Sequence, residues 1–153
     1  MKRLGFLMTL FMISLLAIGC GSETSGGKVI NGLKPSDVPV KFIQARLQKD
    51  EKTMYSLIEG KKDYLGLKKE QGPQNQEQIK NYRLTEWIFD SNTYYYKSEF
   101  IDPQENRLRE DIFKVIKTKE GWKLDGYGDP PNFDEIVISL EKNKKILREM
   151  NDK

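Results

Sequence analysis

The spacing of apolar residues predicts two short helices at the start of the folded part of the chain. Val40, Ile43 and Leu47 recur every three or four residues, and Asp37 can cap the helix that they define. A second apolar stripe follows Asp50, which can cap the next helix. Its members are Met54, Leu57 and Ile58. The two stripes indicate helices that each bury one face against the rest of a domain.

Four β-rich runs follow, after a charged, glutamine-rich connection at 61–78 that we expect to be a mobile loop with one helical turn. The runs are dense in aromatic and β-branched residues and lie at 79–90, 93–102, 107–118 and 121–127. Because only short connections separate them, neighbouring runs should pair as an antiparallel meander. Both sides of the runs carry apolar groups, which predicts helices on one face of the sheet and partial shelter for the other.

Residues 129–153 are predicted to form a helical extension of the domain. The two prolines after Asp129 should end the sheet, and Asn132 or Asp134 can cap a helix after them. Apolar side chains then recur at helical spacing, at Ile136, Leu140, Leu147 and Met150. The stripe either packs back on the domain or forms a coiled-coil seam. We favour packing, because the helix would be shorter than three heptads.

The first 19 residues have the layout of a secretory signal peptide. Lys2 and Arg3 form a short basic region, residues 4–18 form an apolar core, and Gly19 precedes the single cysteine, Cys20. The apolar core falls short of the roughly 20 residues that a spanning helix needs. We therefore expect residues 1–19 to be removed.

The segment from Ala17 to Cys20 resembles the lipobox of bacterial lipoproteins, although that family usually has Leu where this chain has Ala17. The resemblance implies cleavage before Cys20, a diacylglycerol group on its thiol and an acyl group on its new amine. Acyl chains of this kind anchor a protein stably. The expected location is the extracytoplasmic face of the cell membrane, with membrane lipid as the partner of Cys20. The alternative is an ordinary secretory signal followed by an unrelated cysteine.

Residues 20–37 are predicted to be a flexible tether between the membrane and the domain. The segment is rich in Gly and Ser and has few large aliphatic side chains. The alternative is that the segment from Val29 to Leu33 docks on the domain as an edge strand. The folded domain itself should then span 38–128.

Composition narrows the chemistry that the domain can carry. The chain has 153 residues, one cysteine, no histidine and a net charge of +3. We expect a single domain without an intramolecular disulfide, and the small net charge gives no case for a nucleic acid partner. The lack of histidine removes the commonest general base and transition-metal ligand. The segment from Asp125 to Asp129 meets only part of a calcium-loop pattern. We therefore predict no cofactor and no metal.

Three short motifs resemble the NTF2-like (cystatin-like) superfamily. They are the segment 40–45, the Lys49-Asp50 turn with the apolar residues behind it, and the strand 121–124 with the sequence Gly-Trp-Lys-Leu. The resemblance implies an α+β fold in which N-terminal helices pack on a curved antiparallel sheet of about four strands. This cone encloses a pocket, and a C-terminal helix would follow it here. The superfamily includes enzymes as well as non-catalytic binding and assembly modules, so the fold does not select a function.

An enzymatic alternative would need a carboxylate base facing a tyrosine donor inside the cone, as in NTF2-like enzymes that isomerise or dehydrate. The candidates for such a pair are Glu86, Glu110, Asp111, Tyr94 and Tyr96. No spacing joins them, and carboxylates flanked by Arg107, Arg109 and Lys114 are more often exposed ion pairs. We therefore assign no catalytic residue.

Clustered aromatic residues are the main candidates for a binding surface: Trp87, Tyr94, Tyr95, Tyr96 and Trp122. Three consecutive tyrosines cannot all point inward on one strand, so Tyr95, or the pair Tyr94 and Tyr96, should reach a pocket or solvent. Exposed tyrosines offer a large contact area at low entropy cost. The sequence thus favours a non-catalytic binding or assembly module that docks an envelope protein, a peptide or a polymer. The alternative is a small-ligand pocket protein or a degenerate isomerase-like enzyme.

Overall fold

The two predicted N-terminal helices are present in the computed structural model, which describes residues 27–60 and 62–152. Helix α1 spans Asp37–Gln48 and helix α2 spans Glu51–Leu57. Asp50 caps α2 as expected, because its Oδ1 accepts a hydrogen bond of 3.0 Å from the backbone N–H of Thr53. Asp37 lies in the first turn of α1 instead of capping it.

Five antiparallel strands form one sheet with the order β4-β3-β2-β1-β5. Their bounds are β1 Tyr82–Asp90, β2 Thr93–Asp102, β3 Arg107–Thr118, β4 Gly121–Leu124 and β5 Lys144–Arg148. Strands β1 to β4 are the predicted meander, and β2 and β3 have the predicted bounds. The α+β class is therefore confirmed, with five strands in place of about four.

Helices pack on both faces of the sheet, and the second face is covered only in part, since Leu108 and Ile146 on it are more than half exposed. Helices α1 and α2 pack on one side, the helix face, where Ile43, Tyr96 and Phe100 belong to the main core and are fully buried. A third helix, α3, spans Phe133–Ser139 and packs on the opposite side, the outer face. Strands β1 and β2 therefore bury side chains in both directions, which explains why their apolar residues do not alternate cleanly with polar ones.

The C-terminal segment corrects the prediction of a helical extension over 129–153. Helix α3 ends at Ser139, a 3₁₀ turn covers Glu141–Asn143, and β5 then pairs antiparallel with β1. This pairing satisfies backbone groups along the edge of β1 that a helix would leave to solvent. Leu147 packs on the main core as a strand residue. Between residues 129 and 152 there is thus neither a continuous helical stripe nor a helix long enough for a coiled-coil seam.

The predicted tether is wrong for the residues that the structure describes. Ile30 and Leu33 close a tight turn through two mutual backbone hydrogen bonds of 2.8 and 3.1 Å, and both side chains pack on the main core. Pro35 is fully buried. The segment from Val29 to Leu33 does dock, as the alternative stated, but it pairs with itself and adds no edge strand to the sheet.

The connection between α2 and β1 is held against the helices. It contains one 3₁₀ turn, Asp63–Leu65, close to the predicted helical turn. The backbone N–H of Gln74 donates to the carbonyl oxygen of Gln48 at 2.8 Å, and the Asn75 amide donates to the carbonyl oxygen of Leu47 at 3.0 Å. These bonds fix the path of the chain past the C-terminal end of α1, so the segment is not the free loop that its composition predicts.

Cys20 and the predicted signal at 1–19 lie outside the described residues, as do tether residues 20–26. Within the described ranges, no helix is long and apolar enough to cross a membrane.

Candidate functional site

All five aromatic residues predicted to form a binding surface are buried. The exposed fractions are 5% for Trp87, 6% for Tyr94, 5% for Tyr95, 0% for Tyr96 and 2% for Trp122. The prediction that one or two of the three tyrosines reach solvent is therefore wrong. The alternation of the strand is as expected, but Tyr94 and Tyr96 point into the main core and Tyr95 points into a smaller core on the opposite face.

Tyr94, Tyr96 and Trp122 lie on the helix face. The rings of Tyr94 and Tyr96 are nearly parallel, with centroids 6.3 Å apart. Trp122 meets Tyr94 edge-on at 5.4 Å, and its Nε1–H donates a 2.8 Å hydrogen bond to the carbonyl oxygen of Lys28. These three rings are part of the main core, and Trp122 also holds the N-terminal segment.

Trp87 and Tyr95 lie on the outer face, beneath α3. Phe133, the first residue of α3, meets the Trp87 ring at 5.9 Å and the Tyr95 ring at 6.1 Å, both edge-on. This smaller core is what shelters the second face of the sheet, and it leaves no flat aromatic patch at these two residues.

The helix face carries an unusual polar group at its centre. Glu86 on β1 is fully buried directly opposite Tyr96 on β2, and the Tyr96 hydroxyl donates a 2.7 Å hydrogen bond to Glu86 Oε2. Glu86 Oε1 and the hydroxyl of fully buried Ser98 have no hydrogen-bond partner among the described residues. Burial, reinforced by the neighbouring Glu86, raises the pKa of Tyr96 well above its usual range. Tyr96 therefore stays a hydrogen-bond donor at physiological pH.

Of the five residues considered for catalysis, the structure thus joins Glu86 and Tyr96 directly, with Tyr94 beside them. The other two carboxylates have different partners. Asp111 lies on the helix face and forms an ion pair with Arg46 of α1, whereas Glu110 lies on the outer face, 2.6 Å from Lys97 Nζ. The Glu110–Lys97 pair is a cross-strand ion pair as expected, whereas Asp111 pairs with a helix residue in a half-buried contact and not with the basic residues beside it on β3.

A shallow groove of about 130 Å³ opens between α1, β3 and the segment after β4. Its apolar wall is Phe42, whose ring lies 6.1 Å from those of both Phe113 and Tyr127. Its charged wall contains the Arg46–Asp111 pair and the Lys114–Asp125 pair, whose Nζ and Oδ2 atoms are 2.6 Å apart. Tyr127 is 49% exposed, so an aromatic ring is available to a partner here. The aromatic clustering on the strands gave no signal for this groove, because Phe42 and Tyr127 come from α1 and a turn.

The described residues include no group of three or more His, Cys, Asp or Glu side chains that could hold a metal ion. In the segment from Asp125 to Asp129, Asp125 is committed to Lys114 and two glycines, Gly126 and Gly128, adopt positive φ. The segment is built as a turn.

No protein-family model, curated protein or solved structure matches the chain. The residues and their geometry are therefore the whole basis for a functional proposal.

Proposed function

We propose that the chain is a membrane-anchored extracytoplasmic lipoprotein whose folded domain is a non-catalytic binding or assembly module of the NTF2-like type. The lipobox-like segment from Ala17 to Cys20 supports the anchor. The packing of two N-terminal helices on an antiparallel sheet supports the NTF2-like relationship.

The main support for a non-catalytic role is that side chains fill the interior of the domain. Large, fully buried side chains occupy the space between α1 and the sheet, and Glu86 and Tyr96, which lie there, are hydrogen-bonded to each other. A substrate would have to displace this bond and part of the core to reach either group. A reacting group within hydrogen-bond reach of a base is the first requirement for general acid-base catalysis.

The groove beside Phe42 and Tyr127 is the contact surface that we propose in place of the buried tyrosines. It combines an exposed tyrosine ring with charged groups that are already paired, which suits a peptide or protein partner more than a free ion. The groove is too small to enclose a drug-sized ligand, since such sites usually exceed about 300 Å³.

The test is site-specific photo-crosslinking in native membranes. A photoreactive phenylalanine analogue replaces Tyr127 in one variant and Ile138, which is 74% exposed on α3, in a control. We expect a discrete protein or peptide adduct from position 127 and none from position 138. Equal labelling at both positions, or none at either in the folded protein, would refute the groove as the contact surface.

The anchor is tested separately. Cys20→Ser should abolish incorporation of labelled fatty acid and release the protein from the membrane fraction. Fatty-acid labelling that persists in this variant would contradict anchoring through Cys20.

A small-ligand protein is the second candidate, and one observation favours it. Glu86 Oε1 and Ser98 Oγ are buried without a partner in the described residues, and a polar ligand could satisfy such groups. Native mass spectrometry of the purified protein tests this candidate. A small molecule that is retained by the wild type and lost in Glu86→Gln would replace the first proposal with this one.

A further inference from the structure

The N-terminal segment leaves the domain at a defined place. The Trp122 indole holds the carbonyl oxygen of Lys28, and the Asn31 amide donates a 3.0 Å hydrogen bond to the carbonyl oxygen of Glu120. The segment is therefore fixed to the start of β4 from residue 28 onwards. An anchor upstream of residue 28 would therefore hold the domain by the corner at the start of β4.

That corner belongs to one end of the sheet, the turn end, which comprises residues 28–32, the turn 91–92 with Asp90 before it, and the segment 117–120 at the end of β3. The backbone N–H of Lys117 donates to the carbonyl oxygen of Asn92 at 2.8 Å, so the turn 91–92 and the segment 117–120 lie side by side. The turn between β2 and β3, residues 103–106, lies at the other end of the sheet. Since β3 has 12 residues, the two ends are roughly 36 Å apart.

The turn end carries an excess of positive charge, because its exposed lysines outnumber its two exposed carboxylates, Asp90 and Glu120. Lys28, Lys117 and Lys119 are exposed, and none of them forms an ion pair within the described part of the chain. The nearby Glu120 is partly neutralised, because its Oε2 lies 3.3 Å from Lys123 Nζ. An apolar side chain, Val29, is 51% exposed among these lysines.

The length of chain before Lys28 limits how far this end can lie from an anchor at Cys20. Eight residue steps separate Cys20 from Lys28, and a fully extended chain of that length spans at most about 28 Å. A flexible chain of the same length has a root-mean-square reach of roughly 15 Å. A domain tethered so closely must present one end to the membrane, and the fixed exit point selects the turn end.

We propose that the turn end docks on an anionic lipid surface, with Val29 at the level of the headgroups and the three lysines among the headgroup phosphates. This inference rests on the proposed lipid anchor at Cys20. Lysines near an anionic membrane surface bind it electrostatically, and a tether raises the effective concentration of the surface that they meet. Docking in this orientation leaves the far end of the sheet exposed to the extracytoplasmic space.

The experiment uses the full-length processed protein, purified from membranes and reconstituted into vesicles. Val29→Cys and Leu108→Cys each receive a fluorescent thiol label; these apolar positions are similarly exposed, at 51% and 59%, and lie at opposite ends of the sheet. The vesicles contain phosphatidylglycerol with a trace of lipid that carries a headgroup nitroxide quencher. We expect at least severalfold stronger quenching at position 29 than at position 108.

Charge dependence separates docking from simple proximity. Neutral phosphatidylcholine vesicles, or the triple variant Lys28→Gln/Lys117→Gln/Lys119→Gln, should lower quenching at position 29 at least twofold, while the tether keeps it above the value at position 108. The matched control Lys52→Gln/Lys68→Gln/Lys80→Gln removes the same charge elsewhere on the surface and should leave the quenching unchanged.

Mass spectrometry of the same preparations shows whether the lipid anchor itself has failed or only the docking inference. If Cys20 carries no acyl group, the anchor and the docking inference both fail. If Cys20 is acylated and the two labels are quenched equally in phosphatidylglycerol vesicles, docking through the turn end is wrong and the anchor stands. Equal loss of quenching in both triple variants would likewise overturn the role of the turn-end lysines.

Discussion

Removal of the Tyr96 hydroxyl should destabilise the domain by more than the loss of a single oxygen atom implies. Tyr96→Phe deletes the only hydrogen bond that the Glu86 carboxyl group makes within the described residues, and Glu86 is fully buried. A buried polar group that loses its partner costs about 1–3 kcal/mol, and more when the group is charged. Because both carboxyl oxygens would then lack a partner, we expect the upper part of this range, about 2–3 kcal/mol.

Tyr95→Phe is the matched control. Tyr95 is the neighbouring residue and is also buried, with 5% of its surface exposed, and its hydroxyl makes no hydrogen bond among the described residues. The same chemical change at this position should alter the free energy of unfolding by less than about 0.5 kcal/mol. The comparison removes any general effect of replacing a buried tyrosine with phenylalanine.

Urea unfolding at pH 7 gives the measurement, with the fluorescence of buried Trp87 and Trp122 as the signal. The double variant Tyr96→Phe/Glu86→Met should recover most of the loss, since replacing both partners with apolar groups can be nearly neutral. If Tyr96→Phe is as stable as Tyr95→Phe, or if the double variant is less stable than Tyr96→Phe alone, the bond does not hold Glu86 in the core.

Three further predictions follow from pKa shifts and from β5. The pKa of Tyr96 is raised in the folded state, so as the pH rises the unfolded chain releases the Tyr96 proton at a lower pH than the folded protein does. Above about pH 10 the wild type should therefore lose up to about 1.4 kcal/mol more stability per pH unit than Tyr96→Phe. Urea titrations from pH 8 to 11 measure this difference. Burial of Asp102 opposes ionisation, but backbone N–H donors and Arg109 lower its pKa overall; the stability advantage of wild type over Asp102→Asn, measured by thermal unfolding, should be present at pH 7 and shrink below about pH 4. Leu147→Ala in β5 should cost about 1–2 kcal/mol, whereas Ile138→Ala on the exposed side of α3 should cost less than about 0.5; equal small effects would contradict the packing of β5 on the core.

The helices and the meander could be predicted from the sequence because local spacing carries that information. Val40, Ile43 and Leu47 mark the buried side of α1, and the turns around the β2 and β3 runs are short and polar. These signals depend on neighbours in the chain. The features that were predicted wrongly depend on contacts between distant segments.

The pairing of Glu86 with Tyr96 shows why the centre of the core could not be predicted. Counting back from the two-residue turn at Ser91 and Asn92 pairs Glu86 with Lys97. A register shift between Ile88 and Asp90 moves the pairing by one residue and places Glu86 opposite Tyr96. A one-residue shift changes which side chains meet, and no local pattern in this strand indicates the shift.

The C-terminal strand and the N-terminal turn were missed for a related reason. The run from Lys144 to Arg148 is compatible with a helix or a strand, and the open edge of β1 decides between them. Residues 27–36 contain few apolar groups, yet Ile30, Leu33 and Pro35 suffice to dock the segment once Trp122 supplies a donor. The same covering of both faces buried the tyrosines that the strand pattern had assigned to a surface.

Native mass spectrometry of the protein released from its own membranes tests the central claim most directly. The account predicts a chain that begins at Cys20 with diacylglyceryl and acyl groups attached. It also predicts a bound protein or peptide that Tyr127→Ala loses, and no retained small molecule. A chain with a free Cys20 thiol, or one that retains a small molecule and no partner, would contradict the proposal of a lipid-anchored binding module.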